Sequence, residues 1–301
     1  MHDHNHANDD RPISRIRTAF FLNFAFTIVE IIGGFYTNSI AILTDALHDF
    51  GDSIALGLSW YFEKVAKRKE TESFSFGYRR FSLLAAIISG LVLIAGSGFM
   101  LTEAIPRLWN PVQPDAHGMM FFAIGGIVVN GLAVLRVRKG KTMNERMIAW
   151  HLLEDVLGWV AVLIVSLVLM VKDIPILDPI LSILITGFIL YNGFHNIRKT
   201  AKLFLQGTPD PQALGKIREA IIKLPGVKSS HQTHFWSLDG ENHVLSTHII
   251  VANELSRNEV ATIKVKVRKL AEELEIGHVT IETEYEDENC ELEKGEPPDI
   301  H

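Results

Sequence analysis

Four residues in two apolar stretches are spaced for metal chemistry. The first stretch reads Ser39-Ile-Ala-Ile-Leu-Thr-Asp45-Ala-Leu-His48-Asp-Phe-Gly-Asp52, and the second Ala149-Trp-His151-Leu-Leu-Glu-Asp155-Val-Leu-Gly-Trp. Each carries His-x-x-x-Asp. Positions i and i+4 share a helix face, so each stretch presents an imidazole beside a carboxylate. Two neutral imidazoles and two carboxylates make the N/O set of a tetrahedral Zn²⁺ site. Ionisable groups at membrane depth are costly, so they read first as a functional site facing another helix. One such pair would serve equally as a hydrogen bond that fixes helix packing. The same pair repeated at the same spacing in a second stretch favours the metal. Asp45, three residues before His48, falls near the same face and reads as a supporting or proton-relaying carboxylate. Glu154 points about 100° away from Asp155 and is left out of the site. Glu30, Asn130 and Asp178 read as interhelical hydrogen bonds or the lining of a water-filled cavity.

The elements that must position these residues are membrane-spanning helices. Six stretches reach the roughly 20 residues a span needs: 18–36, 40–62, 81–105, 117–138, 147–171 and 174–197. Gly33-Gly34, Gly90, Gly96, Gly98 and Gly125-Gly126 lie inside them and suit close helix packing in lipid. Over the apolar part of the chain, up to about residue 205, Lys and Arg divide unevenly between the two sides: seventeen fall on the side holding both termini, against Arg107 and Lys172 on the other. The positive-inside rule then makes both termini cytoplasmic. This topology runs the second and fifth spans antiparallel, which brings His48 level with Asp155 and Asp52 level with His151. The N-terminus, Met1-His-Asp-His-Asn-His, shows no cleavable signal pattern, so the first apolar run is expected to be a retained span.

The 301 residues have room for about two domains, and the composition changes after Gly207-Thr-Pro209. Residues 210–224 and 255–275 have helical periodicity, whereas 227–238, 242–252 and 277–286 read as strands. The order αββαβ predicts a small α+β domain with helices on one face of a sheet. The expected layout is a His-containing tail over 1–13, a six-span domain over 14–207, the α+β domain over 208–286 and an acidic tail over 287–301. The net charge of −6 averages two unlike halves, and no basic, aromatic-interleaved stripe points to nucleic acid. A single cysteine, Cys290, excludes an intramolecular disulfide and a Cys-based zinc ribbon.

At these residues the chain resembles the cation diffusion facilitator family, the zinc-type metal-ion/proton antiporters. The resemblance covers nearly the whole chain and is carried by the two His-x-x-x-Asp segments. Phe74-Ser-Phe-Gly77-Tyr-Arg, Glu103-Ala-Ile-Pro-Arg107-Leu-Trp-Asn-Pro111 and His231-Gln-Thr-His234-Phe-Trp236 add to it. It implies a six-helix bundle followed by a ferredoxin-like cytoplasmic domain, assembled as a homodimer. It also implies export of cytoplasmic Zn²⁺ against entering protons. Histidine at the first tetrad position looks like the zinc branch, with Co²⁺ and Cd²⁺ as passengers that suit the same ligands. Related proteins bind zinc in the cytoplasmic domain at positions resembling His231 and His248. His278 and Glu284 fall where some members supply further ligands, and His234 has the same chemistry; for His234 and His278 a surface or turn role stands equally open. The loop Glu70–Tyr78 has no histidine, so the extra site some members carry there is expected to be absent. Arg136–Arg146 is short and basic, unlike the His-rich loop of eukaryotic zinc transporters. That favours a bacterial inner (plasma) membrane. His2, His4 and His6 are expected to do nothing measurable.

Two other functions compete. An intramembrane enzyme could use His and Asp as base and orienter; it predicts one catalytic pair and a nucleophile or acyl-substrate groove, while this chain duplicates the pair. A membrane-anchored zinc sensor or scaffold would have no need of ionisable residues in its spans.

Overall fold

The computed structural model describes the backbone of residues 10–66, 68, 70–137 and 143–288. The side chains of 10–20, 22, 59, 60, 63 and 136–151 lie outside that description, and so do His2, His4, His6 and the tail from residue 289. Two compact units result. One is Met1–Tyr61 with Ala85–Ile197, and the other is Phe62–Leu84 with Arg198–His301.

The first unit is helical, built from α1 (Asp10–Thr37), α2 (Ile40–Ala66), α3 (Phe81–Ala104), the single turn α4 (Pro106–Trp109), α5 (Ala116–Val137), α6 (Met143–Val171) and most of α7 (Leu177–Phe204). All six expected spans are helices. Among the described residues, four stretches could cross a membrane by length and composition: Phe81–Trp109, Ala116–Leu135, Leu152–Val171 and Leu177–Phe204. α2 falls short of that measure because Asp45, Asp49 and Asp52 dilute its apolar run. Large apolar side chains such as Phe121, Leu132, Tyr191 and Phe194 face outward on α5 and α7. A surface of this kind suits lipid.

Inside, helices approach through small residues, as packing in lipid requires. A Cβ at Gly33 would meet Phe122 at 2.6 Å, at Gly90 it would meet Ile197 at 2.5 Å, and at Gly126 it would overlap the Trp159 indole. Gly34 and Gly96 are similarly filled by Leu43 and Leu47, but Gly98 and Gly125 face open space and mark no close crossing. Trp159 centres a core with Ala41, Ile42, Met119, Ala123, Val162 and Leu169. α2 is also tied to α7 by polar contacts. Asp178, in the first turn of α7, accepts from Ser39 Oγ at 2.6 Å, Ile40 N at 2.7 Å and Ala41 N at 3.3 Å. One turn further along, Thr44 Oγ1 and Ser182 Oγ are hydrogen-bonded at 2.6 Å.

The second unit holds α8 (Pro211–Ile222), β1 (Val227–Ser237), β2 (His243–Val251), α9 (Arg257–Glu273) and β3 (His278–Tyr285). This is the αββαβ order the periodicity predicts, with element ends within two residues. The sheet order is β1-β2-β3, antiparallel between β1 and β2 and parallel between β2 and β3. Ile217 and Ile221 of α8 and Val260, Ile263 and Val267 of α9 pack with Phe235, Leu245, Ile249 and Val251 of the sheet. Both helices therefore cover one face, and neither α8 nor α9 covers the other, open face. Asp210 caps α8 ahead of Pro211, and Gly226 (φ +89°) makes the turn into β1. The junction between α2 and α3 belongs to this unit. Phe62, Phe74, Tyr78 and Phe81 form an aromatic cluster, and Phe76 meets the rings of Trp236 and His278 edge-on.

A capping box starts α9. Ser256 Oγ accepts from Glu259 N at 3.4 Å, while the Glu259 carboxylate accepts from Ser256 N at 2.8 Å and Ser256 Oγ at 2.7 Å. These bonds hold the Glu259 carboxyl below its ordinary range. The capping contribution is therefore complete above the ordinary glutamate pKa and is lost as pH falls through the lowered value. Ser256→Ala should destabilise this domain by about 1 kcal/mol and flatten that acid dependence in a circular-dichroism titration. Gly126→Val should cost about 1–3 kcal/mol by overpacking Trp159, read as a lower melting temperature in detergent.

Candidate metal centres

Helical spacing dictates the first centre. On α2, His48 Nε2 lies 3.8 Å from Asp52 Oδ2, and the side chains are 21% and 25% exposed. Adjacent ligands of a tetrahedral zinc stand about 3.3 Å apart at bond lengths of about 2.0 Å, so this pair is close to a chelating edge. Asp45 and Asp49 on the same helix are more deeply buried than the pair itself. α6 approaches here through Gly158, where an added Cβ would lie 3.6 Å from Asp45 Oδ1. Asp155, one turn earlier on α6, is half-buried and within electrostatic reach of Asp45, Asp49 and Glu30. Glu154 is exposed, in keeping with its exclusion. His151 belongs to α6, but its side chain lies outside the described residues.

α1 supplies a third wall. Asn23 Nδ2 donates to the Asp49 carbonyl at 2.9 Å and to Ser53 Oγ at 3.1 Å. Glu30 is 1% exposed and faces the carboxyl group of Asp49, and no other described residue bonds to its oxygens. Asp178 makes interhelical hydrogen bonds, as expected, while the buried Nδ2 of Asn130 has no hydrogen-bond partner among the described residues. Asp49 and Asn23 were not singled out from sequence. The signal for Asp49 was present, because it lies at i+4 from Asp45 and so on the same side of the helix.

The second centre lies on the open face of the sheet. His231 of β1 stands directly opposite His248 of β2, with ring centroids 5.2 Å apart. Glu284 of β3 closes the group: its Oε1 is 2.6 Å from His248 Nδ1 and its Oε2 is 3.6 Å from His231 Nε2. One ligand atom from each residue lies within 4.8 Å of the others, and all three residues are at least nine-tenths buried. Among the described residues this is the one grouping of three or more His, Cys, Asp or Glu that meets this distance. Two imidazoles and a carboxylate fit zinc in donor chemistry, with a contraction of about 1 Å needed to reach tetrahedral spacing.

A bulge places His231 there. Pairing shifts between His231 and His234, and Gln232 takes a positive φ of 47°. In a regular strand His231 would share the face of Phe235, which is in the core. The extra residue moves His231 to the open face while Phe235 stays inside. His234 and His278 do not join the group. His234 is exposed and bonds Gln232 at 2.9 Å, and His278 is exposed at the start of β3 against Phe76. Both lie at the surface of the domain.

A helical unit with ionisable residues among apolar helices, joined to a domain with a ready metal-ligand cluster, defines a membrane protein that handles metal ions. Comparison with known proteins agrees. Residues 16–205 match the cation efflux transmembrane domain, and residues 209–286 match the cytoplasmic domain of cation efflux proteins. The chain is 32% identical over 290 residues to a cadmium, cobalt and zinc/H⁺–K⁺ antiporter of Bacillus subtilis, covering 95% of this chain and 93% of that one. Identity to the protein of the same name in Bacillus velezensis is 31% over 310 residues, covering 100% and 99%. The zinc transporter ZitB of Escherichia coli is 29% identical over 301 residues, covering 98% and 95%. The chain belongs to the cation efflux family, also called the cation diffusion facilitators. Its class of activity is efflux of metal cations across a membrane.

Proposed function

We propose that this chain exports Zn²⁺ from the cytoplasm in exchange for protons, carrying the ion between His48, Asp52, His151 and Asp155. The observation that carries the reading is the His48–Asp52 pair, 3.8 Å apart on α2, with Asp155 of α6 nearby. With α2 and α6 antiparallel, His48 meets Asp155 and Asp52 meets His151, so unlike ligands close the tetrad. Zinc needs its ligands unprotonated, so ion and proton compete for the same imidazoles and carboxylates. Histidine is the group best suited to that exchange near neutral pH. Asp45, buried behind His48, orients the site or relays a proton. Two nitrogen donors favour Zn²⁺ and also suit Co²⁺ and Cd²⁺, the three metals named for the Bacillus relatives.

The remaining parts of the reading follow the same helices and sheet. α1 and α2 complete six spans around the polar site, in a bacterial inner membrane with both termini cytoplasmic. The cytoplasmic domain adopts a ferredoxin-like form, dimerises with a second copy, and takes a resident zinc between His231, His248 and Glu284. A sensor or scaffold that binds zinc without moving it would keep this second centre and show no flux.

Proton-gradient-driven ⁶⁵Zn²⁺ uptake into proteoliposomes tests the transport reading. Wild type is expected to accumulate zinc, and Asp52→Ala and Asp155→Ala to lose uptake. Wild-type rates in both variants would refute the tetrad. For the cytoplasmic centre, His248→Ala should lower bound zinc in equilibrium dialysis by about one ion per protomer. His234→Ala and His278→Ala should leave the bound zinc unchanged.

A further inference from the structure

α2 is clamped at two places, with His48 between them. One clamp is Asn23 of α1, which bonds the Asp49 carbonyl and Ser53. The other is Asp178 of α7, 1% exposed, which gathers Ser39 Oγ, Ile40 N and Ala41 N. A helix begins with N–H groups that have no partner within it, and a carboxylate placed there satisfies them and matches the helix dipole. The usual cap is the residue just ahead of the helix, and it ties the helix only to itself. Here the carboxylate comes from another helix, so the same bonds fix α2 to α7.

The clamp is reinforced from three sides. Arg107 donates from Nη1 to the Asn38 carbonyl at 3.0 Å and acts electrostatically on Asp178. Asp115 N donates to the Thr37 carbonyl at 2.8 Å, which ties the start of α5 to the end of α1. Thr44 and Ser182 repeat the α2–α7 tie one turn along. Asn38, with φ +54°, makes the sharp turn that delivers α2 to this point.

From Ile40 to His48 is about 12 Å of helix at 1.5 Å per residue. Side-chain atoms stand about 5–6 Å from the helix axis, so a 10° rotation of α2 moves a ligand atom by about 1 Å. That displacement exceeds the roughly 0.5 Å tolerance of a binding constellation. We propose that Asp178 is a positioning residue for cation transport. By capping α2 from α7 it sets the rotation at which His48 and Asp52 are presented, and with it the affinity and selectivity for the ion. This rests on the tetrad reading given above.

The test uses the full-length protein in proteoliposomes, with Asp178→Ala, Asp178→Asn, Ser39→Ala and Asp52→Ala compared against wild type. Melting in detergent, KM and maximal rate for Zn²⁺, and the Zn²⁺ to Cd²⁺ rate ratio are read for each. Asp178→Ala should raise KM by about tenfold and shift the metal ratio, because a ligand misplaced by about 1 Å is costly. Asp178→Asn keeps a capping oxygen and should return KM to within about threefold of wild type. A purely structural cap predicts a lower maximal rate, in proportion to lost folded protein, with KM and metal ratio unchanged. That result would overturn the proposal. If Asp178→Ala does not fold, Ser39→Ala decides by the same criterion: a raised KM with a shifted metal ratio sustains the proposal, and an unchanged KM and ratio end it. Wild-type transport by Asp52→Ala would show instead that the tetrad reading has failed. An inactive Asp52→Ala beside unchanged Asp178 variants would reject the positioning role alone.

Discussion

Everything in the helical unit answers to one constraint: α2 carries His48, Asp45, Asp49 and Asp52 among apolar helices, where ionisable groups are costly. The helix cannot take up an arbitrary position under that load. It is seated against the Trp159 core, approached by α6 at Gly158, and anchored by side-chain bonds from α1 and α7. None of those bonds uses the side chains of His48, Asp45, Asp49 or Asp52, so α2 is located independently of whether its own carboxylates and imidazole hold an ion. A transport site needs this separation, because its ligands must gain and lose a partner while the helix that bears them keeps its place.

The two metal centres solve different problems with similar residues. In the sheet, His231, His248 and Glu284 come from three neighbouring strands whose pairing fixes their spacing, and the ligand atoms are already close together. On α2 the pair is preset by helical geometry, and the other half of the proposed set would come from α6. A site shared between helices can be opened by moving one of them, whereas a site shared along a hydrogen-bonded sheet cannot. The first arrangement suits an ion that must leave, the second an ion that stays.

Helical periodicity made the six long helices, the αββαβ order and the His48–Asp52 pair legible in advance. These depend on spacing along a single element, which is what a sequence records. Asp178 was legible only as a costly polar residue near a helix start; that its partners would be Ser39 and Ile40 depends on how α7 packs, nearly 140 residues away in sequence. Asn23 carried no signal of its own, because its partners are a backbone carbonyl and a serine on another helix. The apolar count for α2 misled for a physical reason: the same carboxylates that mark the site lower the hydropathy of the helix that holds it. Glycines show the same limit. Gly96 and Gly98 look alike in sequence, yet one receives Leu47 and the other faces open space.

The bulge at Gln232 gives the strand a parity. One surplus residue between His231 and Phe235 allows both a ligand and a core ring to be placed correctly on a single strand. With the four-residue spacing kept and the bulge straightened, strict alternation would put both on one face and oblige the strand to choose. Either the imidazole turns toward Leu245 and Ile249, or the phenyl ring turns out toward water. The group of ligands is therefore encoded partly in a backbone irregularity and only partly in residue types, so a straightened strand of the same length could keep every ligand and still be unable to bring them together.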